Sequence, residues 1–284
     1  MSTTPEPPIF TPPAATVAGG RLHVMMQLCT AARGITLPLF TGDMQIENKA
    51  VHGFDPVTNA DIEAERRLRD IIRQHYPDDS IEGEELDDVH GNNDWSWTLD
   101  PIDGTRGFVA GIPVWSTLIA LSYKGEPVLG VMDFPALGQS YFGAVSITPS
   151  CAWRADDNGA VTRLSTRPCA ELSSAILGCT EPLAMLDAGE LAAYNIIRRG
   201  VQFSRLGLDA YGYAMVASGR MDIIIEAGLK PCDVRALMPV IQGAGGSLTN
   251  WHGGSAAAGG RAVATGDAGL LPELYTYLGR AMSS

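Results

Sequence analysis

Between residues 61 and 75 the apolar side chains Ala64, Leu68, Ile71 and Ile72 recur at i, i+4, i+7 and i+8. That is the period of a helix with one buried face, and Tyr76-Pro77 closes it. Leu22, Met25, Met26, Cys29 and Ala32 form a similar stripe and predict a helix over residues 17–39. The pattern then shortens. "SIEGEE" reads as a brief strand running into a glycine and two acids, and "WSWTLD" as a strand ended by Pro101. "STLIALSYKGEPVLGVMDFP" predicts a hairpin turning at Lys124-Gly125-Glu126, and "SYFGAVS" a further strand. In the second half, helices are expected over residues 191–198 and 210–218, with a strand in "MDIIIEA". Another helix follows Pro231 in "CDVRALMPVIQGAGG", and the glycines over 243–246 end it. Strands and helices mix without a strict βαβ rhythm, which implies layered α/β or α+β packing rather than a barrel or a Rossmann sheet.

At 284 residues the chain is long enough for one large domain or two intimately packed ones. Its net charge of −12 argues against a nucleic-acid partner, because phosphate backbones select basic surfaces. An anionic small substrate stays open, since bound divalent cations invert the charge of an acidic site. No apolar run reaches the length of a membrane span. The Pro-rich start, "MSTTPEPPIFTPPAA", lacks a secretory pattern and reads as a flexible tail over residues 1–15. Five scattered cysteines without a CxxC imply reduced thiols and a cytoplasmic setting. The five histidines form no HExxH or HxH group, so a histidine zinc site is not expected.

The informative chemistry lies in the acids. In "LDPIDGT", Pro101 ends a strand, Gly104 permits a tight turn and Thr105 begins a helix. That geometry aims Asp100, Asp103 and the Ile102 carbonyl into one space, beside backbone amides. Oxygen ligands suit Mg²⁺ and amides suit phosphate, although an Asx turn capping a helix would use the same residues. Glu84 and Glu85 in "IEGEE" follow a strand and a glycine, where a solvated acidic loop is the alternative. Asp61 in "DPVTNAD" and Asp233 in "KPCDVRA" stand at helix starts, where each could be a simple cap. Converging carboxylates repel one another and raise their pKa values, and two or three divalent ions resolve that repulsion.

Taken together, "GEE", "LDPIDGT", "DPVTNAD" and "KPCDVRALMPVIQGAGG" resemble the inositol monophosphatase superfamily. The resemblance implies a layered αβαβα sandwich and a Mg²⁺-dependent, Li⁺-inhibited phosphomonoesterase. It implies metal ligands at Glu84, Asp100, Asp103, Asp233 and the Ile102 carbonyl, for two or three ions. Thr105 and Glu84 would orient the attacking water with help from Asp61. The Gly104 and Thr105 amides would hold phosphate, and Lys49 in "ENKA" matches a mobile-loop lysine. The chain then divides into the tail, an N-terminal α/β portion over 16–145 with most ligands, and a C-terminal portion over 146–284. The last of these would carry the substrate pocket and one metal ligand.

"DPIDGTRGF" and "RLGLDAYGYAMVASGRMDIIIEAG" are most similar to the histidinol-phosphate phosphatase branch, with Asp209 and Tyr211 matching its pattern. Leu208, Ala210, Cys232 and Gln242 depart from it, where glycine, cysteine, an aromatic and glutamate are usual. Leu208 and Ala210 are expected to border the substrate pocket. The implied reaction is hydrolysis of L-histidinol phosphate by direct attack of a metal-activated water. Arg106, Asp209, Glu226 and Asp103 would hold the substrate, the two further acids facing its cationic end. Asp209 could instead cap a helix, and Glu226 could be a solvent-facing strand end. Inositol-1-phosphate or broad-specificity hydrolysis is the alternative, and a non-catalytic metal- or metabolite-binding module a distant one. The expected partners are a small phosphorylated metabolite and, by resemblance, a second copy in a homodimer. The i, i+3 spacing of Asp100 and Asp103 disfavours a D-x-D phosphatase, "GAGGSL" lacks a third glycine, and Walker A and G-x-S-x-G sequences are absent.

Overall fold

The computed structural model describes residues 20–42, 46–48, 56–145 and 150–281. The Pro-rich tail and Lys49 lie outside the described residues. Helix α1 (Arg21–Thr41) is followed by a short antiparallel pair, β1 (Ile46–Asn48) and β2 (Pro56–Thr58), and by α2 (Asn59–His75). Next come β3 (Ser80–Gly83), β4 (Trp95–Asp103), the short α3 (Thr105–Val109), β5 (Ser116–Tyr123) and β6 (Glu126–Phe134). Strands β7 (Gln139–Ala144), β8 (Cys151–Asp156) and β9 (Val161–Arg163) complete a seven-stranded sheet in sequential order. Only β3 and β4 pair parallel in it.

The chain then forms β10 (Ile176–Cys179), α4 (Pro182–Met185), α5 (Ala188–Gly200), β11 (Phe203–Leu206) and α6 (Ala210–Ala217). After these follow β12 (Ile223–Leu229), α7 (Pro231–Arg235), α8 (Leu237–Gly243), β13 (Ser247–Thr249), β14 (Gly260–Thr265) and α9 (Leu271–Ala281). The second sheet has the order β11-β10-β12-β14-β13 and mixes parallel and antiparallel pairs.

Side-chain alternation turns these two sheets into five layers. In β5 and β6, Ile119, Leu121, Leu129 and Val131 pack with the apolar stripes of α1 and α2. Their neighbours Leu118, Ala120 and Met132 face the other way, onto α6, α7 and α8. A sheet covered on both faces reads as a continuous apolar run, as "STLIAL" does. In β12, Ile223, Ile225 and Ala227 face α5 and α9, while Ile224 joins the central helices. The result is the α+β layered sandwich, helices–sheet–helices–sheet–helices. Among the described residues, no helix is long and apolar enough to cross a membrane. All five cysteines are free thiols.

The central helices lie unusually close to the first sheet. Ala120, Gly130, Gly143 and Ala152 stand in register across β5, β6, β7 and β8. A Cβ on Gly130 would collide with the Ala236 carbonyl, and one on Gly143 with the Pro239 carbonyl. The small-residue ladder therefore lets helix backbone rest directly on sheet backbone, and it fixes the position of the adjoining α7.

The sequence reading needs correction in several places. Strand β4 does not stop at Pro101 but runs to Asp103, with a register irregularity between Asp100 and Asp103. Pro101 has no N–H to give the ladder, yet its carbonyl accepts from Thr117 Oγ1 at 2.8 Å, and pairing resumes at Asp103–Ser116. The helix expected after Pro231 is two helices. Pro239 can neither donate to the Arg235 carbonyl nor avoid it sterically, so α7 ends there. The hairpin turns on Lys124 and Gly125 alone, both at positive φ (54° and 83°), and Glu126 already pairs with Tyr123. Strands β8 to β11, β13, β14 and helix α9 had no clear signal. β14, "GRAVAT", uses alanines that favour helix, and β9 is fully exposed.

Because backbone meets backbone at Gly143, the Gly143→Ala variant is expected to lose about 1–3 kcal/mol of unfolding free energy by overpacking. Urea denaturation of the two proteins side by side measures it.

Candidate active site

Gly83 ends β3, where a Cβ would collide with the Glu65 carboxylate and the Arg69 guanidinium. Those two buried α2 side chains form an ion pair at 2.8 Å and pin the loop that follows. Glu65 accepts from the N–H groups of Glu85 (2.8 Å) and Leu86 (3.2 Å), and Arg69 donates to the Leu86 and Asp87 carbonyls. The Glu84 N–H donates to the Leu99 carbonyl at 3.2 Å. Glu84 is thus held one residue away from Asp100 on the neighbouring strand.

Asp100 is 1% exposed, and the irregularity at Pro101 brings Asp103 back to the same end of the sheet. Gly104, at φ 79°, turns the chain into α3. Thr105 Oγ1 donates to the Ile102 carbonyl at 3.0 Å. Asp103 Oδ2 accepts from the Ala210 N–H at 3.1 Å and from Ser116 Oγ at 3.2 Å, which joins the two halves of the chain.

The second half contributes from α7, the start of α6 and β12. In the first turn of α7, Asp233 Oδ2 accepts from the Lys230 N–H at 2.7 Å, and Lys230 Nζ donates to Glu84 Oε1 at 2.8 Å. Asp209 precedes α6 with φ 47°, a strained value for a side chain of its kind, and makes no capping bond. Its carboxylate lies against Gly104, where a Cβ would meet it at 3.1 Å. Glu226 shares a face of β12 with Ile224 and is 3% exposed. It accepts from Tyr213 Oη and the Thr180 N–H, both at 2.8 Å.

These groups enclose a cavity of about 170 Å³. Its lining includes Glu84, Asp100, Ile102, Asp103, Gly104, Thr105, Thr180, Asp209, Ala210, Tyr213, Glu226 and Asp233. Asp61 is buried in the first turn of α2, and its charge acts on Asp100. Arg106 stands at the rim, exposed and paired with Glu181 at 3.1 Å, outside the cavity lining. Leu208 also lies outside the lining, packed into the central apolar cluster. Tyr211 stacks edge-on against Phe134 at 5.1 Å, and it is Tyr213 that faces the cavity. Glu226 is no solvent-facing strand end. The sequence reading missed Lys230, Thr180 and Tyr213. Two-residue alternation in "DIIIEA" shows that Glu226 faces inward, but its partners come from elements far apart in sequence.

Electrostatics explains why so acidic a cavity is unusual. Burial pushes the Asp100 carboxyl well above the carboxylate range, and the charges of Glu84, Asp103, Asp233 and Asp61 push further. Burial, then Asp209 and Asp233, do the same to Asp103, against the Ala210 hydrogen bond. Burial also raises Asp233 and Asp209, the second opposed by Arg106. Glu226 is pushed up to about 7 by burial, although the bonds from Thr180 and Tyr213 oppose it. Burial works against the Lys230 ammonium, but its bond to Glu84 outweighs that and keeps it charged. The donor set fits a divalent cation on one specific observation. Asp100 Oδ1 is buried with no hydrogen-bond partner among the described residues, an expensive state that a bound cation relieves.

Residues 21–281 match the inositol monophosphatase family. Over 205 residues the chain is 44% identical to the chloroplastic bifunctional phosphatase IMPL2 of Arabidopsis thaliana. That match covers 70% of this chain and 55% of the plant protein, so the chain spans about half that relative's length. It is 31% identical over 258 residues to a histidinol-phosphatase of Chlorobaculum parvum, covering 91% of this chain and 96% of the relative. The solved inositol monophosphatase from Zymomonas mobilis superposes with a TM-score of 0.79 at 31% identity, covering 93% of this chain and 100% of that one.

A carboxylate raised in the folded state binds more protons folded than unfolded at every pH between its two pKa values, the unfolded one being about 3.9. Stability then falls as pH rises through that window. Stripped of metal by a chelator, the protein is therefore expected to melt higher as pH is lowered from neutrality into the window. The Asp100→Asn variant should melt a few degrees above the wild type at neutral pH, with a flatter pH dependence. Thermal melts across pH check both.

Proposed function

The chain belongs to the inositol monophosphatase family of metal-dependent phosphomonoesterases, and from that premise we propose that it hydrolyses L-histidinol phosphate to L-histidinol and phosphate. The observation that carries the substrate is the pair of acids, half-buried Asp209 and buried Glu226, in the lining beside the Glu84–Asp100–Asp103–Asp233 cluster. Histidinol phosphate has an amine and an imidazole beyond its phosphoryl group, while inositol offers only hydroxyls. A cationic tail favours the ionised form of both carboxyls, including Glu226 at its pKa of about 7. The histidinol-phosphatase name of the Chlorobaculum parvum relative supports the same choice.

The cluster's ligands are all hard oxygens, which suits Mg²⁺, with two or three ions per chain as the resemblance implies. Glu84, Asp100, Asp103, Asp233 and the Ile102 carbonyl would hold them. Bound there, Mg²⁺ supplies Lewis acidity toward the phosphoryl oxygens and lowers the pKa of water. Thr105 Oγ1 and the Glu84 carboxylate hold the attacking water in line with the ester bond, Asp61 supporting them from behind Asp100. The Gly104 and Thr105 amides receive the phosphoryl oxygens. Asp209 and Glu226 fix the far end of the substrate, with Tyr213 and Thr180 orienting Glu226. No covalent phosphoenzyme forms, because water attacks directly. The resemblance suggests a homodimer, and the scattered cysteines, read as reduced thiols, suggest a cytoplasmic setting.

Phosphate release with Mg²⁺ is measured on L-histidinol phosphate and inositol-1-phosphate. kcat/KM is expected to favour histidinol phosphate by about a hundredfold, and Asp209→Ala to remove most of that preference while barely changing inositol phosphate turnover. Equal rates on the two substrates in the wild type would overturn the substrate and leave the family chemistry standing.

A further inference from the structure

One side chain in the acid cluster is not an oxygen donor. Cys232 occupies the second position of α7, directly before Asp233, and is 8% exposed. Its Sγ lies 3.5 Å from Asp233 Oδ1. The sulfur and one carboxylate oxygen each from Glu84 and Asp100 all lie within 4.8 Å of one another. A thiol among three acids is an odd component for a site meant only for a hard cation, because sulfur competes poorly for Mg²⁺ and strongly for softer ions.

We propose that Cys232, Asp100 and Glu84 form a mixed sulfur–oxygen site that takes a thiophilic divalent ion of the zinc or cadmium class in competition with Mg²⁺. The inference rests on the acid cluster being a cation site, and not on the identity of the substrate. Zinc holds sulfur at about 2.3 Å and carboxylate oxygen at about 2.0–2.2 Å, so three donors already this close converge on one ion by small side-chain rotations. Asp233 Oδ1, beside the sulfur, stands ready as a fourth donor. The unpartnered Asp100 Oδ1 is an independent sign that a ligand belongs at this place. On binding, the metal–sulfur bond replaces the S–H bond and the proton leaves to solvent. Ordinary Mg²⁺ chemistry needs none of this, so the thiol makes the enzyme sensitive to soft metals at a point where an aromatic residue would not.

The test uses the full chain and Cd²⁺, whose thiolate complexes absorb in the ultraviolet by charge transfer, a signal independent of catalysis. Titration of the metal-free wild type should give a band that saturates at one equivalent and is displaced by zinc. Cys232→Ser and Cys232→Ala should lose the band and weaken cadmium binding by about tenfold or more, and Asp100→Asn should weaken it comparably. Melting curves establish that each variant is folded. A band that survives in either folded Cys232 variant would come from other thiols and overturn the proposal. So would the absence of a band in the wild type, or an Asp100→Asn protein that binds cadmium as tightly as the wild type. Because the readout needs no substrate, failure on histidinol phosphate would leave this result untouched.

Discussion

Glu84, Asp100, Asp103 and Asp233 crowd like charges into one cavity, with Asp100 buried, and much of the architecture works to keep them there. Glu84 follows β3, Asp100 and Asp103 flank the irregularity within β4, and Asp233 sits in the first turn of α7. An acid so placed cannot turn away to solvent without unravelling the turn behind it. Hydrogen bonds reinforce this, with Ser116 and Ala210 on Asp103 and the Lys230 N–H on Asp233. Asp100 has no such help on Oδ1, and its raised pKa expresses the strain. The folded chain thereby stores repulsion that only protons or cations relieve. Lys230, bonded to Glu84, offsets part of it from within.

The acids come from both halves of the sequence, so their geometry depends on the separation of layers. The ladder Ala120–Gly130–Gly143–Ala152 sets that separation on the side of the first sheet. It removes side chains where α7 and α8 approach, so Asp233 arrives at a fixed height above the end of β4. The break between α7 and α8 at Ala236, imposed by Pro239, does related work, since it gives α7 its own direction. On the opposite side, Glu226 is held toward the cavity by Tyr213 and Thr180. One set of packing constraints thus places both the cation ligands and the acids proposed to meet the substrate.

Much of this was legible in the sequence wherever the signal was local. Helical periodicity located α2, and the turn residues around Asp100–Thr105 marked a strand end facing a helix start. "GEE", "LDPIDGT" and "KPCD" carried the family resemblance. Long-range features were not legible. The way β4 continues past Pro101 depends on Thr117 of the next strand, whose hydroxyl donates to the Pro101 carbonyl where the ladder is interrupted. The roles of Tyr211 and Tyr213, two residues apart on α6, could not be told apart without knowing which face meets Phe134 and which meets Glu226. Arg106 pairs with Glu181, far along the chain and outside the cavity lining, which no pattern in "DGTRGF" reveals. Strands such as β14, built of alanine and glycine, form only because neighbouring strands supply the pairing.

The central claim is that the acid cluster is built to be closed by cations. An anomalous difference map from crystals soaked in Mn²⁺, a hard ion standing in for Mg²⁺, tests it most directly. The account predicts strong peaks within coordinating distance of the Asp100 and Asp103 carboxylates, with Glu84 and Asp233 around them and Lys230 drawn off Glu84. A map with no peak in the cavity, the carboxylates and Lys230 staying as they are without metal, would contradict it.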